Sequence, residues 1–353
     1  MKPHPLGAHR VIEPAGVLPQ AAWRLDPLPR AYENEILCDV EVLNIDSASF
    51  RQIAEAEEHD PGRIAAHVQR IVRERGKQHN PVTGSGGMFI GTVREIGERL
   101  RHRTTLVPGE RIASLVSLTL TPLSIEEVLR VDVPTGRIWI RGTAILFERT
   151  LWARLPEDID ENVALAVFDV AGAPAQAARL CATGQTVAVL GADGKSGMLV
   201  CAQARNRVGP SGRVIGIAPD ARTPAAELLR SEGYVDDFIE ADARDPLGVL
   251  HAIERVAPSL ADVTFSCVNV PSCEMSAILC TKDGGIVYFF SMATSFTAAA
   301  LGAEGVAKDV TMIVGNGYAE RHAEIALQTL RDHPAIHAYF TRRYATPATV
   351  LPR

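Results

Sequence analysis

Several protein classes are excluded by what this chain lacks. None of its six cysteines, Cys38, Cys181, Cys201, Cys267, Cys273 and Cys280, stands in a CxxC pair, so zinc ribbons and thioredoxin-type redox motifs fall away. Most of the six lie in apolar runs and read as small buried hydrophobes in a reducing compartment. No apolar run reaches membrane-spanning length, and the opening MKPHPLGAHR has no apolar signal core, so the expected location is the cytoplasm. The formal net charge of −6 leaves no basic footprint for nucleic acid or an anionic membrane. No internal repeat or low-complexity segment is evident. What remains is an ordinary globular composition over 353 residues, enough for two domains.

The most informative stretch is QTVAVLGADGKSGMLVCAQARNRVGPSGRVIGIAPD, residues 185–220. Thr186 to Leu190 has the length and β-branched content of a buried strand. Gly191, Gly194 and Gly197 follow, then a helical run over Met198 to Arg207, a glycine stop at Gly209 to Gly212, and a second apolar run, Arg213 to Ile217. This βαβ context predicts a dinucleotide pyrophosphate site. The glycines allow the sharp turn, the close approach of backbone to phosphate, and tight helix–strand packing, while unpaired N–H groups and the positive helix end face the anion. The spacing is GxxGxxG. The sequence Gly194-Lys195-Ser196 looks like the end of a Walker A loop, but that motif needs a glycine at 189, where the chain has valine. The remaining alternative is a purely structural glycine turn.

Ahead of this unit the pattern is different. Residues 1–30 are proline-rich and irregular. Glu35 to Leu43 alternates as a half-buried antiparallel strand and runs into the polar turn Asn44 to Phe50. Ile64, Val68, Ile71 and Val72 recur at helical spacing between Pro61 and Lys77. Glycines crowd Pro81 to Gly97, leaving Thr92 to Ile96 as a strand, and short apolar runs follow at Arg137 to Ile140 and Ala144 to Phe147. Up to about residue 155 the chain therefore predicts a β-rich domain of short strands and turns. After Pro156 strands and helices alternate, which predicts a doubly wound parallel sheet over 156–317. The closing segment, about 318–353, is expected to return to the first domain.

This order of parts resembles the medium-chain dehydrogenase/reductase superfamily. The carriers are Pro81…Gly91-x-Val93…Gly97, Pro108-Gly109-Glu110-Arg111-Ile112, Leu155-Pro156-Glu157-Asp158, the Gly191 loop and Asp283-Gly284-Gly285-Ile286-Val287. The resemblance implies an α/β architecture: a GroES-like β-rich domain and a Rossmann domain, with the active site in the cleft between them. Zinc-binding members carry a cysteine after the second strand, a GHE run and a third ligand ahead of the nucleotide fold. Here those places hold Asp46, Gly86-Gly87-Met88 and the neighbourhood of Asp169. That donor set does not suit zinc, which prefers thiolate and imidazole, and no metal is expected. Four phrases, GAHRVIEPAGVLPQ, EILCDVEVLNIDSASF, NPVTGSGGMFIGTV and VLGADGKSGML, resemble the L-erythro-3,5-diaminohexanoate dehydrogenases, amine dehydrogenases of anaerobic lysine fermentation. The helical insertion between Asp46 and Pro81 fits the same family.

The resemblance implies NAD(P)-linked oxidative deamination at C3, giving 5-amino-3-oxohexanoate and ammonia. Such chemistry asks for a general base near C3. Asp46 is the candidate to hold or deprotonate the reacting amine, with Ser47 beside it; Asp169 or Glu148 is the candidate to pair with an ammonium. Asp46 could equally cap a helix beginning near Ser49, and Asp169 could be paired structurally. Thr83 to Gly87, Thr83 and Gly86 in particular, either brings backbone groups to the substrate or is only a turn. His9 and Arg10 are candidates for the substrate carboxylate, or surface groups. The cofactor candidates are Gly191, Asp193, Gly194, Lys195, Ser196 and Gly197 of the loop, then Ala218, Asp220 and Arg222 at the second strand's end, and Cys267, Val268, Ser291 and Met292 after later strands. An acid at the second strand's end favours NAD; that place holds Ala218, with Asp220 and Arg222 just beyond, so NADP is expected to be accepted with no firm preference over NAD. A small diamino acid is the expected partner, and a homo-oligomer, a dimer foremost, the expected assembly. The rival functions are a zinc-free quinone or enoyl reductase and a non-catalytic NADPH-binding protein.

Overall fold

The computed structural model describes residues 3–80, 84, 86–291, 293–315 and 317–345, with the side chains of Ser47 and Ala48 outside that description. In chain order the strands and helices are β1 (Val11–Glu13), β2 (Arg24–Leu25), β3 (Glu35–Asn44), α1 (Ser47–Ala56), α2 (Pro61–Arg75), β4 (Met88–Ile96), β5 (Arg111–Ser114), β6 (Leu123–Asp132), β7 (Arg137–Phe147) and β8 (Trp152–Arg154). There follow α3 (Glu161–Phe168), α4 (Gly172–Leu180), β9 (Thr186–Leu190), α5 (Lys195–Val208), β10 (Arg213–Ala218), α6 (Pro224–Ser231), β11 (Asp237–Glu240) and α7 (Pro246–Val256). The last are β12 (Ala261–Ser266), α8 (Glu274–Cys280), β13 (Thr281–Phe289), α9 (Phe296–Gly305), β14 (Thr311–Val314), α10 (His322–Asp332) and α11 (Pro334–Tyr344). The chain forms two compact units that divide between Leu155 and Pro156.

The first unit is built on an antiparallel sheet of order β6-β7-β3-β4-β5-β8. β3 lies between β7 and β4 and is buried along most of its length, where the alternation alone suggested one wet face. Its apolar residues join Ile53 of α1 and Ile64, Val68 and Val72 of α2 in one core; each fully buried aliphatic side chain of this kind contributes roughly 1.5–3 kcal/mol. α2 begins on Asp60, whose side chain accepts from the Arg63 N–H, carries Pro61 in its first turn, and stops at Gly76 in the left-handed conformation. β4 starts at Met88, earlier than the glycines suggested. Gly91 is inside it because a Cβ there would come within 2.2 Å of the Asp39 carbonyl oxygen, so the ladder itself requires glycine.

The second unit carries six parallel strands in the order β11-β10-β9-β12-β13-β14. The order reverses between β9 and β12, so right-handed crossovers send α5 and α8 to opposite faces. On one face Ala277 and Ile278 of α8 and Val249 and Ile253 of α7 pack on Leu190, Ile217 and Phe289. On the other, α5 packs with α4 and α10. The apolar helices α3 and α4 are explained by this packing: α10 and α11 cover α3, and α10 also covers α4. The expected return of the final segment to the first domain is thus corrected, for α10 and α11 spend their apolar faces on α3 to α6. Among the described residues no single helix is long and apolar enough to cross a membrane.

Candidate active site

The turn after β9 has the geometry of an anion cradle in three respects. Gly191 has φ +75, a conformation that L side chains rarely adopt. A Cβ on Gly197 would come within 2.1 Å of the Gly191 carbonyl oxygen, so the first turn of α5 lies directly against the strand end. The N-cap of α5 is Gly194, with no side chain capping the helix, which leaves the leading N–H groups to an anion. The loop is anchored by the Gly191 and Ala192 N–H groups, both donating to the Ile217 carbonyl at 2.8 and 3.2 Å. It sits where the strand order switches, at the carboxyl ends of the strands. Replacing Gly197 by valine is therefore expected to abolish cofactor binding in a titration of intrinsic fluorescence, with residual affinity at least 100-fold down.

The other cofactor candidates gather along the same strand ends. Cys267 follows β12, its N–H donating to the Leu190 carbonyl at 2.9 Å, and its backbone and the Val268 nitrogen lie 3.2 Å from where a Cβ on Gly191 would stand. Burial pushes the Cys267 thiol up to about 12, so it is no nucleophile at neutral pH. Ser291 follows β13 and receives the Ala293 N–H at 3.1 Å. Met292 lies outside the described residues. Past Ala218, the Asp220 carboxylate accepts from the Arg222 N–H at 2.8 Å and from its Nε at 3.2 Å. Burial first, and then the Asp220 charge, hold the Asp193 carboxyl above its ordinary range against a Thr223 hydrogen bond. Glu240 at the end of β11 accepts from the Ala221 N–H at 3.1 Å. Arg230 Nη2 donates to the Ala221 carbonyl at 2.7 Å, so among the described residues three acids and two arginines gather past the end of β10.

Asp169 and Lys195 form an ion pair of 2.6 Å within the second unit. The structural alternative for Asp169 is the one realised. Its carboxylate neutralises the first residue of α5 and ties the end of α3 to the glycine loop, so it is not a free anion for a substrate ammonium.

In the first unit Asp46 realises the capping alternative and keeps its second oxygen unengaged among the described residues. As N-cap of α1 its Oδ1 accepts from the Ser49 N–H at 3.0 Å, while its Oδ2 is buried and accepts no hydrogen bond from any described residue. The surroundings are drawn together by two glycines. A Cβ on Gly87, φ +85, would come within 2.2 Å of the Asn44 carbonyl and 2.8 Å of the Asp46 nitrogen, and one on Gly86 within 2.3 Å of the Gln78 carbonyl and 2.9 Å of the Thr119 nitrogen. Asn80 clamps the same corner, its Nδ2 donating to the Ser49 carbonyl at 3.2 Å and to Gln52 Oε1 at 2.8 Å. Thr83 and the Ser47 side chain lie outside the described residues. The sequence reading passed over residues 77–80; the signal available was a run of four polar residues, Lys-Gln-His-Asn, directly after a helix stop. Burial, then the charges of Arg75 and Lys77, lower His79 to about 4, so it is a neutral acceptor at working pH.

Two expectations do not survive the geometry. β3 has Glu35 opposite Phe147 at one end and Asn44 opposite Arg137 at the other, a span of about 30 Å at strand rise. Glu148 follows Phe147, so it lies at the far end from Asp46. There one carboxylate oxygen accepts from Arg103 at 2.7 Å, and the residue lines a cavity of about 630 Å³ with Ile36, Phe147 and Trp152. His9 and Arg10 are at that same end. Arg10 is fully buried, with its Nε and Nη2 donating to Glu35 at 2.9 and 2.6 Å, and His9 Nε2 lies 2.7 Å from the same carboxylate. Both are committed to Glu35 and are unavailable to a substrate carboxylate.

No group of three His, Cys, Asp or Glu residues is placed to hold a metal among the described residues. His333, the N-cap of α11, and His337 within it stand four apart, but His333 Nε2 is engaged with Asn206 at 3.0 Å.

A family model described as the L-erythro-3,5-diaminohexanoate dehydrogenase N-terminal domain matches residues 9–156. The L-erythro-3,5-diaminohexanoate dehydrogenase of Acetoanaerobium sticklandii is 52% identical over 345 residues, covering 98% of this chain and all of the relative. That of Fusobacterium nucleatum subsp. nucleatum is 53% identical over 339 residues, covering 96% of this chain and 98% of the relative. Among solved structures, a mycobacterial quinone oxidoreductase superposes with a TM-score of 0.53 at 14% identity, over 90% of this chain and 91% of that one. The CurK enoyl reductase does so with 0.51 at 14%, over 97% and 91%. These remote likenesses establish the two-domain fold, in which a β-rich sheet precedes a Rossmann sheet. Sequence identity over nearly the whole length is the stronger statement: the chain belongs to the L-erythro-3,5-diaminohexanoate dehydrogenase family.

Proposed function

We propose that this protein catalyses the NAD(P)-dependent oxidative deamination of L-erythro-3,5-diaminohexanoate to 5-amino-3-oxohexanoate and ammonia, a step of lysine breakdown in the cytoplasm. The observation that carries the reading is Asp46, a carboxylate with one oxygen fixed by a helix N-terminus and the other buried and unengaged. The substrate's C3 ammonium must lose a proton before C3–H can leave as hydride; Asp46 Oδ2 accepts a hydrogen bond from that nitrogen and takes the proton. Water then adds to the C3 imine and ammonia departs, leaving the ketone. Gly191, Gly194 and Gly197 with the N-terminus of α5 would hold the pyrophosphate, and Cys267, Val268 and Ser291 line the strand ends beside it. A nicotinamide dinucleotide bound there supplies the hydride acceptor. No metal is assigned, because aspartate and glycine stand where zinc would want thiolate and imidazole. Purified protein mixed with NAD or NADP and 3,5-diaminohexanoate at alkaline pH should yield reduced cofactor; no reduction with either would sink the reading.

Cofactor choice follows from the charges around β10. The Arg222 side chain is 85% exposed and can swing from Asp220 to a 2′-phosphate, which supports acceptance of NADP, while the acids suit the ribose hydroxyls of NAD. Arg222→Gln is expected to lower kcat/KM for NADP about tenfold and leave the NAD value unchanged. Equal losses with both cofactors would remove Arg222 from 2′-phosphate recognition.

The assembly we favour is a homodimer. β14 is the last strand of its sheet; Val314 on it is 63% exposed, and Phe296 of the preceding helix α9 is 72% exposed. An unpaired edge flanked by apolar side chains invites a second copy of itself. A monomer in sedimentation at micromolar concentration would refute this.

A further inference from the structure

Polar groups buried without partners are rare in folded proteins, and each asks for a reason. Gln78 is fully buried, and among the described residues neither its Oε1 nor its Nε2 has a hydrogen-bond partner. Leaving such groups unmade costs about 1–3 kcal/mol each. In the same loop His79 Nδ1 is also buried without a partner among the described residues, while its other polar side chains are bonded. Lys77 Nζ donates to the Pro19 carbonyl at 2.9 Å, and Asn80 is bonded on both sides of the α1 start. The fold therefore provides for Lys77 and Asn80 and leaves the Gln78 amide, with His79 Nδ1 beside it, open. Its place is specific too: its backbone carbonyl presses on Gly86 as the Asp46 backbone nitrogen presses on Gly87, so two adjacent glycines bring the backbone of the open amide to the corner that holds Asp46, whose Oδ2 is likewise unengaged among the described residues.

We propose that Gln78 is a substrate-positioning residue, and that it reads a β-amino carboxylate. A primary amide presents one acceptor and two donors on a single plane. Oε1 accepts from the C3 nitrogen and Nε2 donates to the carboxylate two carbons away, so one side chain recognises the two neighbouring polar groups. Asp46 takes the same nitrogen from its other side. The amide is uncharged, which lets it orient the substrate without offsetting the Asp46 charge. A penalty borne by the free protein and relieved on binding makes affinity and stability oppose each other at this position.

This rests on the proposed reading of the site, and the test separates the two. Gln78→Met, close in volume and apolar, is made in the full chain beside the wild type. Thermal unfolding is followed with and without 3,5-diaminohexanoate, and kcat, KM and cofactor affinity are measured. The expected result is an unchanged or raised melting temperature without substrate, a KM for 3,5-diaminohexanoate raised about tenfold, kcat within about threefold of wild type, and unchanged cofactor affinity. A lowered melting temperature, misfolding, or an unchanged KM would overturn the proposal, since a merely structural amide loses stability and keeps its KM. If the wild type is shifted in melting temperature by the diamino acid but does not oxidise it, the catalytic reading fails; loss of that shift in Gln78→Met then still supports the role of Gln78.

Discussion

Asp46→Asn should lower kcat for 3,5-diaminohexanoate by at least about 100-fold, the usual contribution of a positioned base, with cofactor affinity unchanged. Asparagine caps a helix as well as aspartate does, so the bond from the Ser49 N–H, and with it the start of α1, is preserved. What is removed is the charge and basicity of Oδ2, the buried oxygen without a partner. An unchanged turnover number would dismiss Asp46 from the mechanism and return it to being only a cap.

Glu35→Gln should have the largest effect on stability, about 3–5 kcal/mol, because it leaves the buried Arg10 with only the partly exposed Asp26 carboxylate, 3.4 Å away, to offset its charge. Denaturant unfolding of the first unit is the measurement. Burial alone would push the Glu35 carboxyl up, but hydrogen bonds from His9, Arg10 and the Tyr32 N–H outweigh it, and the group is held below its ordinary value of 4.5. The pH dependence follows. The unfolded chain takes up the proton first as pH falls through 4.5, so the stabilisation is complete above that pH and is lost progressively below it. Glu35→Gln should lack this acid-dependent portion of the unfolding curve. A variant as stable as the wild type would mean that Arg10 finds enough in the carbonyls of Asp26, Leu28 and Arg30.

The parts of this fold that were legible in the sequence are those where one local rule acts alone. The Gly191 loop was readable because glycine is required there by backbone geometry, and α2 because Ile64, Val68, Ile71 and Val72 recur at helical spacing after Pro61. β6 was missed: its residues alternate poorly, and its place comes from pairing with β7. β11, α7, α9 and α11 were missed for a related reason, since each is short or weakly patterned and fixed by its neighbours. Asp46 could be nominated from its place after a strand, but its partner loop could not. Residues 77–80 reach Asp46 only because Gly86 and Gly87 let three backbones meet, which no spacing reveals. His9 and Arg10 were misplaced because a family phrase says which residues recur together and nothing about the end of β3 at which they lie, and Glu148 because its position along the chain does not show that end either.

One consequence of the irregular opening segment concerns catalysis. Lys77 is fully buried and donates to carbonyls at Pro19 and Gln20, one residue before the amide assigned to the substrate. The loose-looking leader is therefore a brace: shortening or re-routing it near Pro19 would be felt first as a slackened grip on the diamino acid, well before the chain failed to fold.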